Sequence, residues 1–217
     1  MTTFQLPRVA TQNNPLRLAV FISGSGSGMA ALLSHQQSSN CSHSTELVVS
    51  NIQGARGLEI AKNTGVRTEV IELTSGMERI THEDLIHEIL ESYEIEAIIL
   101  SGYMRILSPS FVEKWEGRIL NIHPSLLPDF PGAHAHKDAL EARAKKSGCT
   151  VHFVDSGVDS GLIIAQSEVK ILPEDTVETL QSRIKKLEHR LYPSVIDAFS
   201  EGRLEIIEKY KVIIHNL

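Results

Sequence analysis

The 217-residue chain has only two cysteines, Cys41 and Cys149, and aromatic residues make up just 5% of it. Two thiols build neither a disulfide framework nor a four-cysteine metal centre, so both are read as reduced. No apolar run approaches the roughly 20 residues that a membrane-spanning helix requires. The opening stretch, MTTFQLPRVATQNNPLR, lacks the apolar segment and cleavage pattern of a secretory signal. Basic residues are in deficit as well. A net charge of −6 argues against broad electrostatic capture of nucleic acid, although a local basic pocket for a phosphate stays open. These absences lead to the expectation of a cytoplasmic protein with neither a membrane nor a nucleic acid as partner. Hydrophobic content of 41% and charged content of 22% are ordinary for a globular chain, and the length suits one large domain.

The chain itself alternates short apolar runs with longer amphipathic ones. LRLAVFIS, ELVVSN, TEVIEL, EAIILSGY and RILNIH read as buried strands. Between them lie helical patterns: MAALLSHQQ, ARGLEIAKNTG with its glycine stop, Thr81–Tyr93, and SPSFVEKW with proline in its first turn. Such alternation predicts an α/β fold, a Rossmann-like, mostly parallel twisted sheet with helices on both faces. After Gly148 the strands CTVHFVD and LIIAQSEVKI lie close together in the chain, which predicts an antiparallel extension near the carboxyl end. A long helix from about Thr176 to Phe199 and a short strand at LEII complete the pattern. Residues 1–15 are expected to form a polar, poorly ordered leader and residues 16–217 a single domain.

The turn ISGSGSGMAA (Ile22–Ala31) joins the first strand to the first helix. Glycines allow close backbone approach, and a helix start with successive amides favours a phosphate. Gly26, Gly28 and Ala31 also fit a relaxed dinucleotide fingerprint. That reading needs an acid at the end of the second strand, where Val48–Val49–Ser50–Asn51 has none. A glycine turn serving chain geometry alone is the bland alternative.

The densest polar material is LNIHPSLLPDFPGAHAHKDAL (Leu120–Leu140). Asn121 and His123 lie two apart at a strand end and so face the same way, and Pro124, Pro128 and Pro131 stiffen the loop beyond them. Asp159, in the turn SGVDSG, is expected to reach the same cleft. An amide and an imidazole that stabilise a developing oxyanion, with a carboxylate that orients the imidazole or relays a proton, suit acyl transfer to an amine. No serine or cysteine nucleophile is evident, so direct attack by a substrate amine is the simpler chemistry. His134 and His136 form an H-x-H pair that could hold a metal with His123 and His152, but the spacing matches no strong zinc pattern and no metal is expected. His35, His43, His82, His87 and His215 read as surface or hydrogen-bonded residues.

The segments ISGSGSG, SGYMRILSPSFV, LNIHPSLLPDFPGAHAHKDALE, TVHFVDSGVDSGLIIAQ and LEHRLYP occur in the order seen in the glycinamide ribonucleotide branch of the folate-dependent formyltransferases, which the chain resembles. The resemblance covers about Leu16 to Glu205. It implies formyl transfer from 10-formyltetrahydrofolate, as co-substrate, to glycinamide ribonucleotide. It carries over Asn121, His123 and Asp159 as a catalytic trio, with His152 supporting them. Met104, Arg105, Ile106, Leu107 and Asn121 match folate contacts. Gly26, Ser27 and Gly28 match the phosphate loop, and Glu188 matches a carboxylate on the ribose. Gly28 departs from the family's usual asparagine, and Lys185 is a cation that could compensate. Two relatives fit less well: a hydrolytic deformylase, expected to carry an amino-terminal regulatory domain, and a tRNA formyltransferase, expected to carry a carboxyl-terminal RNA-binding domain. A non-catalytic folate or nucleotide sensor would need no Asn–His–Asp trio.

Overall fold

The computed structural model describes residues 4–38, 40–207 and 211–216. A seven-stranded sheet has the order β3-β2-β1-β4-β5-β6-β7. Its strands are β1 (Leu16–Ile22), β2 (His43–Ser50), β3 (Arg67–Val70), β4 (Ala97–Leu100), β5 (Ile119–His123), β6 (Lys146–Phe153) and β7 (Ile163–Lys170). Pairing is parallel from β3 through β5 and antiparallel from β5 to β6 and β6 to β7. The antiparallel extension expected after Gly148 is therefore present. β8 (Leu204–Ile207) pairs antiparallel with β9 (Lys211–Ile214), which the sequence pattern did not reveal.

Helices cover both faces because the central strands are apolar on both. Leu16, Leu18, Val20 and Ile22 of β1 join one core, with Met29 and Leu32 of α1 (Ser27–Ser38) and Tyr192, Val195, Ile196 and Phe199 of α6 (Val177–Ser200). Ala19 and Phe21 join the other, with Ile86 and Leu90 of α3 (Arg79–Ser92) and Phe111 and Val112 of α4 (Pro109–Lys114). α2 (Arg56–Asn63) and α5 (Ala135–Glu141) complete the set. The capping chemistry is local: Pro109 opens α4 behind the Ser108 N-cap, and Thr176 caps α6 in a reciprocal pair with Thr179.

The chain reverses direction across the sheet between β1 and β4, so the topological switch point, where ligands of open α/β sheets bind, lies at their carboxyl ends. Two loops meet there. Ser23 N–H donates to the Gly102 carbonyl at 3.1 Å, and Met104 N–H donates to Ser23 Oγ at 2.8 Å. The Tyr192 hydroxyl lies 3.0 Å from the Leu100 carbonyl and 2.9 Å from that of Leu120, pinning α6 to the end of β4 and the first half of β5.

Residues 4–15 are not the loose leader their polarity suggested. Phe4 packs edge-on against Phe153 with centroids 4.9 Å apart, Arg8 pairs with Glu96 at 2.6 Å, and Ala10 N–H donates to the Ser200 carbonyl at 2.8 Å. A few long-range anchors outweigh the low hydrophobicity of the segment. Residues 1–3 lie outside the described part of the chain.

Tyr192→Phe should lower the unfolding free energy in urea by about 1–2 kcal/mol, because the two carbonyls lose their buried donor. An unchanged denaturation midpoint would contradict that bridging role.

Candidate active site

β5 and β6 run antiparallel with Asn121 opposite His152, so both side chains project from the same face. His123, two residues on, shares that face. The third group arrives by a less direct path. β6 ends at Phe153 beside the start of β5, and the chain then doubles back before β7, which brings Asp159 over Asn121 and His123. Two features permit this course. Asp159 itself adopts a left-handed conformation with φ of 52°, unusual for a residue with a side chain. A Cβ on Gly161 would lie only 1.8 Å from the Phe153 carbonyl oxygen, so the return path requires glycine.

The Asp159 carboxylate is the hub. Its Oδ2 accepts from the Gly132 amide at 2.8 Å and lies 3.2 Å from His123 Nδ1. Its Oδ1 lies 3.4 Å from Asn121 Nδ2 and 3.6 Å from His152 Nε2. Burial pushes its pKa up, but hydrogen bonds from His152 and Gly132 and the charges of both imidazoles outweigh this and hold the carboxyl below its ordinary range.

Each imidazole has a partner on both nitrogens. His123 Nε2 lies 2.8 Å from the Phe130 carbonyl, and Nδ1 lies 3.2 Å from Asp159 Oδ2. His152 Nδ1 lies 2.8 Å from the Phe153 carbonyl, and its Nε2 lies 3.1 Å from Asn121 Nδ2 and 3.6 Å from Asp159 Oδ1. Two imidazoles and a carboxylate thus surround one amide. Phe130 O and the Gly132 amide, both in the proline-rich loop, were not legible in the sequence as partners.

The glycine turn lies beside this cluster. Phe21 of β1 pairs with Leu100 of β4, and Leu100 pairs with Asn121, so two strand spacings, roughly 10 Å, separate the last part of β1, which leads into the turn, from the Asn121 position. α1 begins at Ser27 with no acidic residue in its first turn. Gly26 has φ of 66°, and a Cβ there would meet Gly57 Cα at 2.6 Å. Part of the turn's glycine content therefore serves its contact with α2. Gly28 differs: its φ lies outside the left-handed region, and a Cβ there would stand 2.6 Å from Ser101 Oγ, a hydroxyl that would have to turn aside. The hydroxyl of Ser101 occupies the space at which an asparagine side chain would begin. Sequence reading missed Ser101 because its position beside Gly28 is a product of β1–β4 pairing.

The remaining predicted residues are spread around the crevice. Met104 and Ile106 are exposed in the loop after β4, Arg105 is half-buried, and Leu107 is buried in the second core. Leu107 thus contributes packing, while its neighbours face outward. Glu188 and Lys185 lie on α6, where burial raises the Glu188 carboxyl to about 7 despite the opposing charge of Lys185. Burial, then the Glu188 charge, pushes the Cys149 thiol up to about 12, which removes it as a thiolate nucleophile. His136 is pushed down by burial and by the charges of Lys185 and His123, and His134 stands at the N-cap of α5.

An open, mostly parallel sheet with an amide, two imidazoles and a carboxylate at its carboxyl edge defines an α/β protein with a polar crevice, and kinship to known proteins makes the class specific. The chain belongs to the formyl transferase family, whose model matches residues 16–196. It is 39% identical over 194 residues to phosphoribosylglycinamide formyltransferase of Escherichia coli K12, covering 89% of this chain and 91% of that protein. It is 44% identical over 201 residues to the trifunctional purine biosynthetic protein adenosine-3 of Gallus gallus, covering 93% of this chain but 20% of that protein. The chain therefore spans about a fifth of the length of that relative. The solved structure of glycinamide ribonucleotide transformylase 1 from Symbiobacterium toebii superposes with a TM-score of 0.89 at 42% identity, covering 92% of this chain and 94% of that one.

This geometry has two measurable outcomes. Gly28→Ala should destabilise the protein, and the penalty should shrink in a Ser101→Ala background, with a coupling of about 0.5–3 kcal/mol in a double-mutant cycle. Strict additivity would show that the two positions do not compete for space. The raised Glu188 pKa stabilises the fold through its protonated form, a contribution complete below the ordinary glutamate value of 4.5 and lost as pH rises through about 7. Glu188→Gln should therefore flatten the decline of melting temperature between about pH 5 and 8, relative to wild type.

Proposed function

We propose that this chain transfers the formyl group of 10-formyltetrahydrofolate to the amine of glycinamide ribonucleotide, the phosphoribosylglycinamide formyltransferase reaction of purine biosynthesis. The observation that carries the reading is the convergence of Asn121, His123 and Asp159 at one strand end beside the glycine turn. Kinship to proteins named for that activity supports the choice of substrates.

Gly26, Ser27 and Gly28 offer backbone amides to the phosphate, with the Ser101 hydroxyl as a further donor where the family usually has an asparagine. Glu188 accepts from ribose hydroxyls, and Lys185 adds positive charge nearby. Met104, Arg105 and Ile106 face the folate, whose formyl group comes within reach of the Asn121 amide.

The neutral substrate amine attacks the formyl carbon, so a C–N bond forms as the carbonyl oxygen gains negative charge. Asn121 Nδ2–H and His123 Nε2–H donate to that oxygen, the latter exchanging the Phe130 carbonyl for it. Collapse breaks the bond from carbon to the folate nitrogen, and the proton lost by the amine returns to that nitrogen. Because Asp159 is held below the ordinary carboxylate range, it suits holding His123 as imidazolium and ordering the proton path better than acting as a strong base. His152 keeps the Asn121 amide aimed.

His123→Ala and Asp159→Ala should each lower kcat by about 10²–10³-fold with modest changes in KM. Near-normal turnover in either variant would refute the assigned roles. Loss of the formyl group from 10-formyltetrahydrofolate should require glycinamide ribonucleotide. Loss without the amine would make the chain a hydrolase, and no loss at all would make it a binding protein.

A further inference from the structure

Away from the crevice, four metal-type ligands converge at the opposite edge of the sheet. His43 is the first residue of β2 and pairs with Leu16 at the start of β1, so it marks the amino-terminal end of the strands. His35 lies near the end of α1, Cys41 in the connection to β2, and Asp197 in the last turns of α6. The ligand atoms of all four lie within 4.8 Å of one another, and this is the group of that kind found among the described residues. Sequence patterning gives no hint of it: His35 and His43 read as surface or hydrogen-bonded residues, and the H-x-H pair lies elsewhere, at His134 and His136.

We propose that His35, Cys41, His43 and Asp197 form a structural site for a divalent transition-metal ion, zinc by the chemistry of its donors. Two imidazoles, one thiolate and one carboxylate are a tetrahedral donor set of the softness zinc prefers, and the two anionic ligands neutralise its charge. The arrangement is already gathered. Asp197 Oδ2 lies 2.8 Å from His35 Nε2 and Oδ1 lies 2.9 Å from His43 Nε2. The two rings stack at 18° with centroids 6.3 Å apart, so both present Nε2 to the same side. His43 is buried, whereas His35 and Asp197 are partly exposed, which leaves an entry path.

Without metal, each imidazole donates its Nε2 proton to Asp197. On binding, that proton moves to Nδ1 in each ring, Nε2 ligates, and the Cys41 thiol releases its proton to solvent. The outer support for His43 is in place: Gln36 lies 2.8 Å from Nδ1, and rotation of its amide presents Oε1 to the new Nδ1–H. The ion would tie α1, the start of β2 and α6 together at a point remote from the catalytic trio.

The test is metal analysis of the full chain after expression with zinc, chelator-buffered gel filtration, and parallel loading with cobalt(II). One zinc per chain is expected, together with a thiolate-to-cobalt charge-transfer band, a higher melting temperature in the metal-bound protein, and loss of all three in Cys41→Ser and in His35→Gln. Formyl-transfer activity should persist in both variants at moderate temperature, which separates this site from the proposed reaction. Absence of stoichiometric zinc and of the cobalt band would overturn the proposal. So would retention of the metal by the Cys41→Ser/His35→Gln double variant, since the ion would then reside elsewhere.

Discussion

A single carboxylate organises the crevice at the carboxyl ends of the strands. Asp159 has four polar neighbours from three separate segments: Asn121 and His123 on β5, His152 on β6, and the Gly132 amide in the proline-rich loop. Burying a carboxylate is costly unless hydrogen bonds and opposite charge offset the loss of solvent. Here they do so with margin, because the group stays ionised more readily than in water. Other features of the site stem from that requirement. The loop doubles back, Asp159 tolerates a left-handed backbone, Gly161 leaves room for the Phe153 carbonyl, and His123 is held between two acceptors.

The surrounding fold turns this local arrangement into a cleft. Parallel pairing of β1, β4 and β5 brings the glycine turn, the loop after β4 and the Asn–His strand end side by side at the switch point. Tyr192 reaches from α6 to the last carbonyl of β4 and to the Leu120 carbonyl near the start of β5, so the helix that carries Lys185 and Glu188 is fixed relative to both strands. The α6 residues proposed to meet substrate and the groups proposed for catalysis on the sheet are thereby held in one frame, which is what pre-organisation for transition-state binding demands.

The same interaction recurs at the other end of the sheet with a different outcome. Asp197 also sits against two imidazoles, and burial there is likewise outweighed by their hydrogen bonds and charge. Asp159 is presented by a strained loop and shares its imidazoles with an amide at the crevice. Asp197 is presented by a regular helix and shares its imidazoles with a thiol in the connection to β2. Backbone context and the fourth group, rather than the carboxylate–histidine contact itself, distinguish the two clusters.

Much of this was legible in the amino-acid order. Apolar periodicity in LRLAVFIS and EAIILSGY specifies buried strands because both faces must meet hydrophobic helices, and the spacing of Asn121 and His123 places them on one face because side chains alternate along a strand. Proline at the start of α4 and threonine before α6 mark helix starts through local hydrogen bonding. Long-range contacts were not legible, since no local pattern encodes them. The seating of residues 4–15 depends on Arg8 meeting Glu96 and on Phe4 meeting Phe153. The reason for glycine at position 28 depends on Ser101, brought alongside by strand pairing. The meeting of His35, Cys41 and His43 with Asp197 spans more than 150 residues of chain. The sequence by itself determined which elements form and which side chains share a face, because those depend on steric and hydrophobic periodicity within a few residues. Only the tertiary structure decided which acceptors the imidazoles face and which polar groups lie within reach of one another, because those depend on distances between segments far apart along the chain.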